Sequence, residues 1–315
     1  MMNILFVSLG CDKNLVDSEV MLGLLAEKGY GFTDDEMEAD VIVVNTCCFI
    51  GDAKEESVNT ILEMAEHKKD AKCKALIVTG CMAQRYKQEI IDEIPEVDAV
   101  LGTTTYDSIV EAIEQAIGGE HMLKCEDIDR LVLTNAKRML TTGGHYAHLK
   151  IAEGCDKHCT YCIIPKLRGN YRSFPMEKLV KEAEELAAQG VKELILVAQE
   201  TTLYGTDIYG KKSLHLLLKE LCKIKGIRWI RVQYCYPEEI YDELIQTMKE
   251  EPKVCNYLDL PIQHASDRIL KRMGRRTSQA DLRAIIGKLR QEIPDICLRT
   301  TLISGFPGET EEDHE

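Results

Sequence analysis

GCDKHCTYC, residues 154–162, places Cys155, Cys159 and Cys162 at C-x3-C-x2-C spacing on one short stretch. Three thiolates this close can hold three corners of a 4Fe–4S cluster and leave the fourth iron open, where ferredoxin-type clusters use four cysteines. An open iron can bind a cofactor, and iron–sulfur with S-adenosylmethionine (SAM) is one route to radical chemistry. The alternatives are a zinc loop or a redox pair. Zinc favours two C-x2-C halves closed by four ligands, and no partner C-x2-C follows downstream.

Working outward from this loop, the second half of the chain alternates strand-like and helical stretches. Candidate strands are His148 to Glu153, Glu193 to Ala198, Arg228 to Tyr234, Tyr257 to Pro261 and Cys297 to Ile303. The clearest helical patterns run from Met176 to Gln189 and from Leu214 to Lys225. Five βα units predict a partial barrel across 146–315, with the cysteine loop after the first strand. The last stretch, GFPGETEEDHE, ends on acidic residues that suit the first turn of a helix. That ending predicts an incomplete barrel, truncated at its C-terminus.

The first half has the same α/β logic without sequence similarity. ILFVSL, VIVVNT and ALIVTG are continuous aliphatic runs of strand length, as strands buried on both faces require. Helical patterns at Asp17 to Lys28 and Ala53 to His67 lie between them, and a short run, Ala99 to Leu101, precedes another helix beginning near Tyr106. An open parallel α/β sheet over 1–120 is expected. The glycine pairs Gly118-Gly119 and Gly143-Gly144 bracket a linker at 121–145.

Cys11, Cys47 and Cys81 each fall within a residue or two of the end of one of these strands. Carboxyl ends of parallel strands share one sheet edge, where open α/β folds build their sites. The three thiols can therefore converge on a metal centre, although each alone also suits core packing. Gly10 and Gly80, next to two of them, allow close backbone approach. Cys48 is expected to point away along the pleat. The remaining cysteines read as packing residues.

The chain has 315 residues, 45% of them hydrophobic and 29% charged, which fits a two-domain globular protein. Its formal charge of −14 argues against broad nucleic-acid affinity. One local basic cluster, Lys271, Arg272, Arg275 and Arg276, reads either as a patch or as a solvated helix end. No apolar run approaches the length of a membrane span and no basic n-region opens the chain, so a cytoplasmic protein is expected. Thirteen cysteines in such a chain favour metal binding over disulfides.

Together LGCDKNLVDSE, NTCCFIGDAKEES, GCMAQRY, the cysteine loop and GFPGET resemble the methylthiotransferases, a branch of the radical SAM enzymes. The resemblance covers essentially the whole chain. It implies a radical 4Fe–4S cluster on Cys155, Cys159 and Cys162 and an auxiliary one on Cys11, Cys47 and Cys81. It also implies cleavage of SAM to a 5′-deoxyadenosyl radical and delivery of a methylthio group to an unactivated carbon.

The segments VQYCYPEEI and LDLPIQHASDRILKRMGR resemble the branch that modifies the β-carbon of an aspartate in small-subunit ribosomal protein number twelve. The tRNA-modifying branch is a weaker match, and a non-catalytic iron–sulfur protein is a third reading. An external electron donor and sulfur source are expected partners. Family members continue into a sixth barrel unit and a C-terminal β-barrel domain, and by that resemblance both are expected to be missing from these 315 residues. The resemblance further suggests Tyr161 and Gly305 beside the adenine of the cofactor and Gln199 near its ribose. Asp259, Gln263 and His264 are candidates to face the substrate.

Overall fold

The structure is a computed structural model and describes residues 2–315. The chain divides into two compact units. The first runs to Thr141 and includes Ile163–Asn170, and the second comprises Thr142–Cys162 and Tyr171–Glu315. Among the described residues no helix is long and apolar enough to cross a membrane.

In the first unit the order is β1 (Asn3–Ser8), α1 (Asp12–Glu27), β2 (Gly31–Phe32), β3 (Val41–Thr46), α2 (Gly51–Asp70), β4 (Ala75–Gly80), α3 (Cys81–Tyr86), α4 (Gln88–Glu93), β5 (Ala99–Leu101), α5 (Ile109–Ile117) and β6 (Met122–Lys124). All six strands are parallel, in the order β2-β1-β3-β4-β5-β6. The chain leaves β1 for one side of the sheet and then returns to the other, so β1 and β3 flank a topological switch point.

Strands β3 and β4 are buried at every position. Ile42, Val44, Leu76 and Val78 pack with Ile61, Met64 and Met82 on one face. Val41, Val43 and Ile77 pack with Met21, Leu25, Ile109 and Ile113 on the other. Aliphatic runs without polar alternation are what two covered faces demand.

The stretch 121–145, read from sequence as a linker, is largely part of this unit. Met122–Lys124 extends the sheet beside Ala99–Leu101. Beyond it, Arg130 pairs with Asp107 and Arg138 with Glu19 at 2.5 Å. Thr141 donates to Glu19 through its backbone N–H (2.9 Å) and its hydroxyl (3.1 Å). The glycine pair at 118–119 marks the turn after a helix rather than the end of a domain.

In the remainder of the chain come β7 (Tyr146–Lys150), β8 (Ala152–Glu153), α6 (Ile164–Arg168), β9 (Arg172–Ser173), α7 (Met176–Ala188), β10 (Glu193–Val197), α8 (Leu214–Cys222), β11 (Trp229–Val232), α9 (Asp242–Glu250), β12 (Val254–Asp259), α10 (Asp267–Arg272), α11 (Gln279–Glu292), β13 (Cys297–Arg299) and α12 (Glu311–His314). Five parallel strands follow one another as β7-β10-β11-β12-β13, the progression of a (β/α) barrel segment. Strands β8 and β9 form a small antiparallel ladder.

Helix α6 is the exception to the expected boundary at 146, because it belongs to the first unit. Leu167 is buried in the core with Met82 and Ala83, and Thr103 Oγ1 donates to its carbonyl at 2.9 Å.

Candidate iron–sulfur and cofactor sites

In the first unit, β1, β3 and β4 are adjacent, with Ser8 opposite Asn45 and Thr46 opposite Gly80. Cys11, Cys47 and Cys81 thus leave neighbouring strands at the carboxyl edge. Cys11 is exposed at the start of α1, whereas Cys47 and Cys81 are buried. Ser57 clamps Cys47, accepting from its N–H at 3.0 Å and donating to its carbonyl at 2.8 Å.

The cradle is shaped by two glycines. Gly10 has φ +92°, and a Cβ there would lie 2.8 Å from Cys47 Cβ and 3.1 Å from its Sγ. Gly80 has φ +94°, and its Cβ would lie 2.5 Å from the Thr46 carbonyl oxygen. Only glycine lets these turns close at that distance.

Asn14, fully buried, joins the strand ends. Its Nδ2 donates to the carbonyls of Leu9 (3.1 Å) and Thr46 (2.9 Å), and its Oδ1 accepts from Cys81 Sγ at 3.7 Å. Burial pushes the Cys81 thiol up to about 12, against the opposing pull of the Arg168 guanidinium. Cys47 is also raised, chiefly by burial. Metal-free, these thiols hold their protons at neutral pH, so iron must displace them. Cys48 points into the apolar core, its Sγ donating to the Cys81 carbonyl at 3.3 Å.

The second triplet lies on the loop after β8. Cys155 and Cys159 are buried and Cys162 is half-buried. The Lys157 N–H hydrogen-bonds the Cys155 sulfur, yet burial still pushes that thiol up to about 12. Thr160 anchors the loop, its N–H donating to the Met273 carbonyl and its hydroxyl to the Arg272 carbonyl, both at 3.0 Å.

Among the described residues, no three His, Cys, Asp or Glu side chains are gathered tightly enough to share one metal ion. A cubic 4Fe–4S cluster does not require that, since each cysteine binds a different iron. Sulfur donors with cradling glycines fit the first triplet. The second offers sulfur donors with backbone N–H support. Both donor sets suit iron–sulfur rather than a hard cation.

Near the second triplet, Gln199 and Glu200 follow β10. Gln199 Oε1 and Glu200 Oε2 are buried with no hydrogen-bond partner among the described residues. Burial lifts the Glu200 carboxyl to about 7, although the Thr202 N–H and hydroxyl oppose the shift. Buried acceptors without donors are poised for a ligand that brings its own.

Tyr161 meets Phe306 edge-on, ring centroids 6.3 Å apart, which sets the GFPGE loop beside the cysteine loop. Gly305 has φ +73°, but open space surrounds its Cβ position, so backbone conformation and not close packing explains the glycine.

The other expected residues are held by the protein itself. His264 is buried, accepting from the Ser266 N–H at 2.9 Å, with Nε2 3.5 Å from Glu309. Asp259 lies 3.3 Å from Arg299 Nη1, and Gln263 takes φ +70°. The basic cluster is divided, with Lys271, Arg272 and Arg276 exposed and Arg275 drawn inward. Arg275 is buried over the Tyr236 ring at 4.2 Å, and Arg272 Nε donates to the Pro307 carbonyl at 3.1 Å.

Sequence reasoning passed over Glu200, Tyr236, Asn14 and Arg168. The Tyr236 hydroxyl lies 3.5 Å from Cys159 Sγ. For Glu200 a signal existed, namely a carboxylate just beyond a barrel strand.

Residues 3–102 match the family described as uncharacterized protein family UPF0004, and residues 149–315 match the Radical SAM superfamily. The chain is 68% identical over 314 residues to the ribosomal protein uS12 methylthiotransferase RimO of Lachnoclostridium phytofermentans, covering 100% of this chain and 71% of that protein. It is 56% identical over 310 residues to the protein of the same name from Clostridium botulinum, covering 98% of this chain and 69% of the relative.

Two solved structures share the fold. The cobalamin-dependent SAM radical enzyme OxsB has TM-score 0.66 at 12% identity, over 96% of this chain and 49% of OxsB. The radical SAM methyltransferase TsrM of Kitasatospora setae has TM-score 0.66 at 14% identity, over 99% of this chain and 69% of TsrM.

Proposed function

Since this chain belongs to the ribosomal protein uS12 methylthiotransferase RimO family of radical SAM enzymes, we propose that each of its two units holds a 4Fe–4S cluster, on Cys11, Cys47 and Cys81 in the first and on Cys155, Cys159 and Cys162 in the second. The activity is methylthiolation of ribosomal protein uS12. The acceptor we assign is the β-carbon of an aspartate. The observation that carries the two-cluster reading is the glycine-cradled set of three sulfurs at adjacent strand ends.

No side chain of ordinary basicity removes a proton from such a carbon at neutral pH, because general-base catalysis needs a matched pKa. When bound, the reduced second cluster with SAM supplies a radical that takes a hydrogen atom instead. The chain's own residues bind and shield. Glu200 Oε2 is available for the ammonium of SAM and Gln199 Oε1 for a ribose hydroxyl, each restoring a missing hydrogen bond. Tyr161, with Phe306 against it, offers an aromatic face to the adenine. The Tyr236 hydroxyl lies 3.5 Å from the Cys159 sulfur, and with the sulfur bound to iron it would be the donor of that pair. An external low-potential donor and a sulfur source complete the reaction.

The test is anaerobic incubation of reduced, reconstituted protein with SAM and uS12. Formation of 5′-deoxyadenosine, together with a uS12 aspartate carrying a methylthio group in place of one hydrogen, is expected. Deoxyadenosine without uS12 modification, and a methylthio group on tRNA adenosine instead, would overturn the substrate assignment.

A further inference from the structure

We infer that Arg168 and Asn14 are positioning residues of the first cysteine triplet, the Arg168 guanidinium supplying a buried positive charge that stabilises the reduced form of the iron–sulfur group held there. The inference rests on the reading of that triplet as a cluster site.

Arg168 is among the largest fully buried side chains in the protein, only 2% exposed. A guanidinium so placed must be neutralised and hydrogen-bonded. Its Nη1 donates to Asp17 Oδ2 at 2.8 Å and its Nη2 to Asn14 Oδ1 at 2.5 Å. That same Asn14 oxygen accepts from Cys81 Sγ. The Asn14 amide nitrogen meanwhile holds the carbonyls of Leu9 and Thr46, just before Cys11 and Cys47. One buried amide therefore connects all three strand ends to one buried cation.

The guanidinium is fixed in place, because Leu167 beside it is a core residue and Thr103 holds its carbonyl. It is the positive charge beside both Cys47 and Cys81.

Binding iron changes this network in a defined way. Cys81 loses its S–H proton, so the contact with Asn14 Oδ1 loses its donor. Arg168 is the neighbouring N–H donor that can face the thiolate. When one electron from a low-potential donor such as dithionite reduces the group, its negative charge grows by one. A nearby fixed cation favours that state. Asp17, bonded to Nη1, offsets part of that charge, while Nη2 holds Asn14 Oδ1.

The test uses the full chain with Cys155→Ala, Cys159→Ala and Cys162→Ala, reconstituted anaerobically, so that only the first triplet is read. Its midpoint potential is followed by redox titration with electron paramagnetic resonance. Arg168→Gln is expected to lower the reduced-to-oxidised ratio at fixed potential at least tenfold, a shift of ~59 mV for one electron. Arg168→Lys, which keeps the charge and loses the fork, should fall between.

Arg168→Gln alone leaves Asp17 buried without this partner, so the pair Asp17→Asn with Arg168→Gln is measured too and should shift the same way. Loss of iron from the paired variant, with its circular dichroism retained, supports the positioning role. Full iron at the parent potential in Arg168→Gln and in the paired variant would overturn the inference. An iron-free parent would overturn the cluster reading itself, and this inference with it.

Discussion

Gly80→Ala tests whether the first cradle is built as described. Gly80 sits at φ 94°, ψ −155°, immediately before Cys81. That region is essentially glycine-only, and forcing another residue into it costs about 1–3 kcal/mol. The added methyl would also stand 2.3 Å from Asn45 Oδ1 and 2.5 Å from the Thr46 carbonyl oxygen. Backbone cannot retreat as a flexible side chain does, and overpacking of this kind adds about 1–3 kcal/mol.

The sum, about 2–6 kcal/mol, is a large part of the ~5–15 kcal/mol that ordinarily holds a domain folded. Relief requires the turn between β4 and α3 to move off β3. That movement strains the 2.6 Å bond from Thr46 Oγ1 to the Thr79 carbonyl and carries Cys81 away from its neighbours. Gly119→Ala is the control, with a similar φ of +82° but open space around the Cβ, so it carries backbone strain alone, about 1–2 kcal/mol. Urea unfolding followed with iron content is the assay. Gly80→Ala should lose the larger stability and the iron of the first triplet, and keep that of the second. Equal destabilisation in the two variants, with full iron in both, would refute the reasoning.

Four further outcomes are expected. The Glu200 carboxyl keeps its proton to about pH 7 in the folded chain against an ordinary value of 4.5. Stability of the metal-free protein should therefore fall as pH rises from 4.5 to 7, by about 3 kcal/mol, and level off above; Glu200→Gln should flatten that slope in urea titrations, and an unchanged slope would clear Glu200 of it. Glu200→Gln should also weaken SAM binding to the reconstituted protein in equilibrium dialysis, and unchanged binding would remove it from the cofactor site. Arg138→Met leaves Glu19 buried beside the two Thr141 donors and should destabilise the protein by about 3–5 kcal/mol, with a urea midpoint at the parent value counting against the importance of this ion pair. Tyr236→Phe, in a chain with the first triplet replaced by alanine, should move the second cluster's midpoint to a more negative value, since a donor to the Cys159 sulfur is lost; an unmoved midpoint would discount the contact.

Much of the fold was legible because its signals are local. VIVVNT and ALIVTG carry no polar alternation, which forces a doubly covered parallel sheet, and strand ends in such a sheet share an edge. That alone aligned three cysteines scattered along the sequence. What was not legible depends on distant partners. Nothing in IPKLR says that Leu167 belongs to a core built from residues before 101, or that Arg168 meets Asp17 and Asn14. The stretch 121–145 looked like a linker because its anchors, Arg138 to Glu19 and Met122 to the sheet edge, are visible only after folding. In the basic cluster near 271 only Arg275 was not legible: it reads as surface charge like its exposed neighbours, yet its guanidinium is buried over an aromatic ring.

The central claim is one cluster in each unit. It is tested most directly by iron and sulfide analysis of anaerobically reconstituted protein in three forms: the parent, Cys11→Ala with Cys47→Ala and Cys81→Ala, and Cys155→Ala with Cys159→Ala and Cys162→Ala. Each triple variant should retain half of the parent's iron and sulfide and show its own paramagnetic signal on reduction. Parent-level iron in either variant, or none in both, would contradict the account.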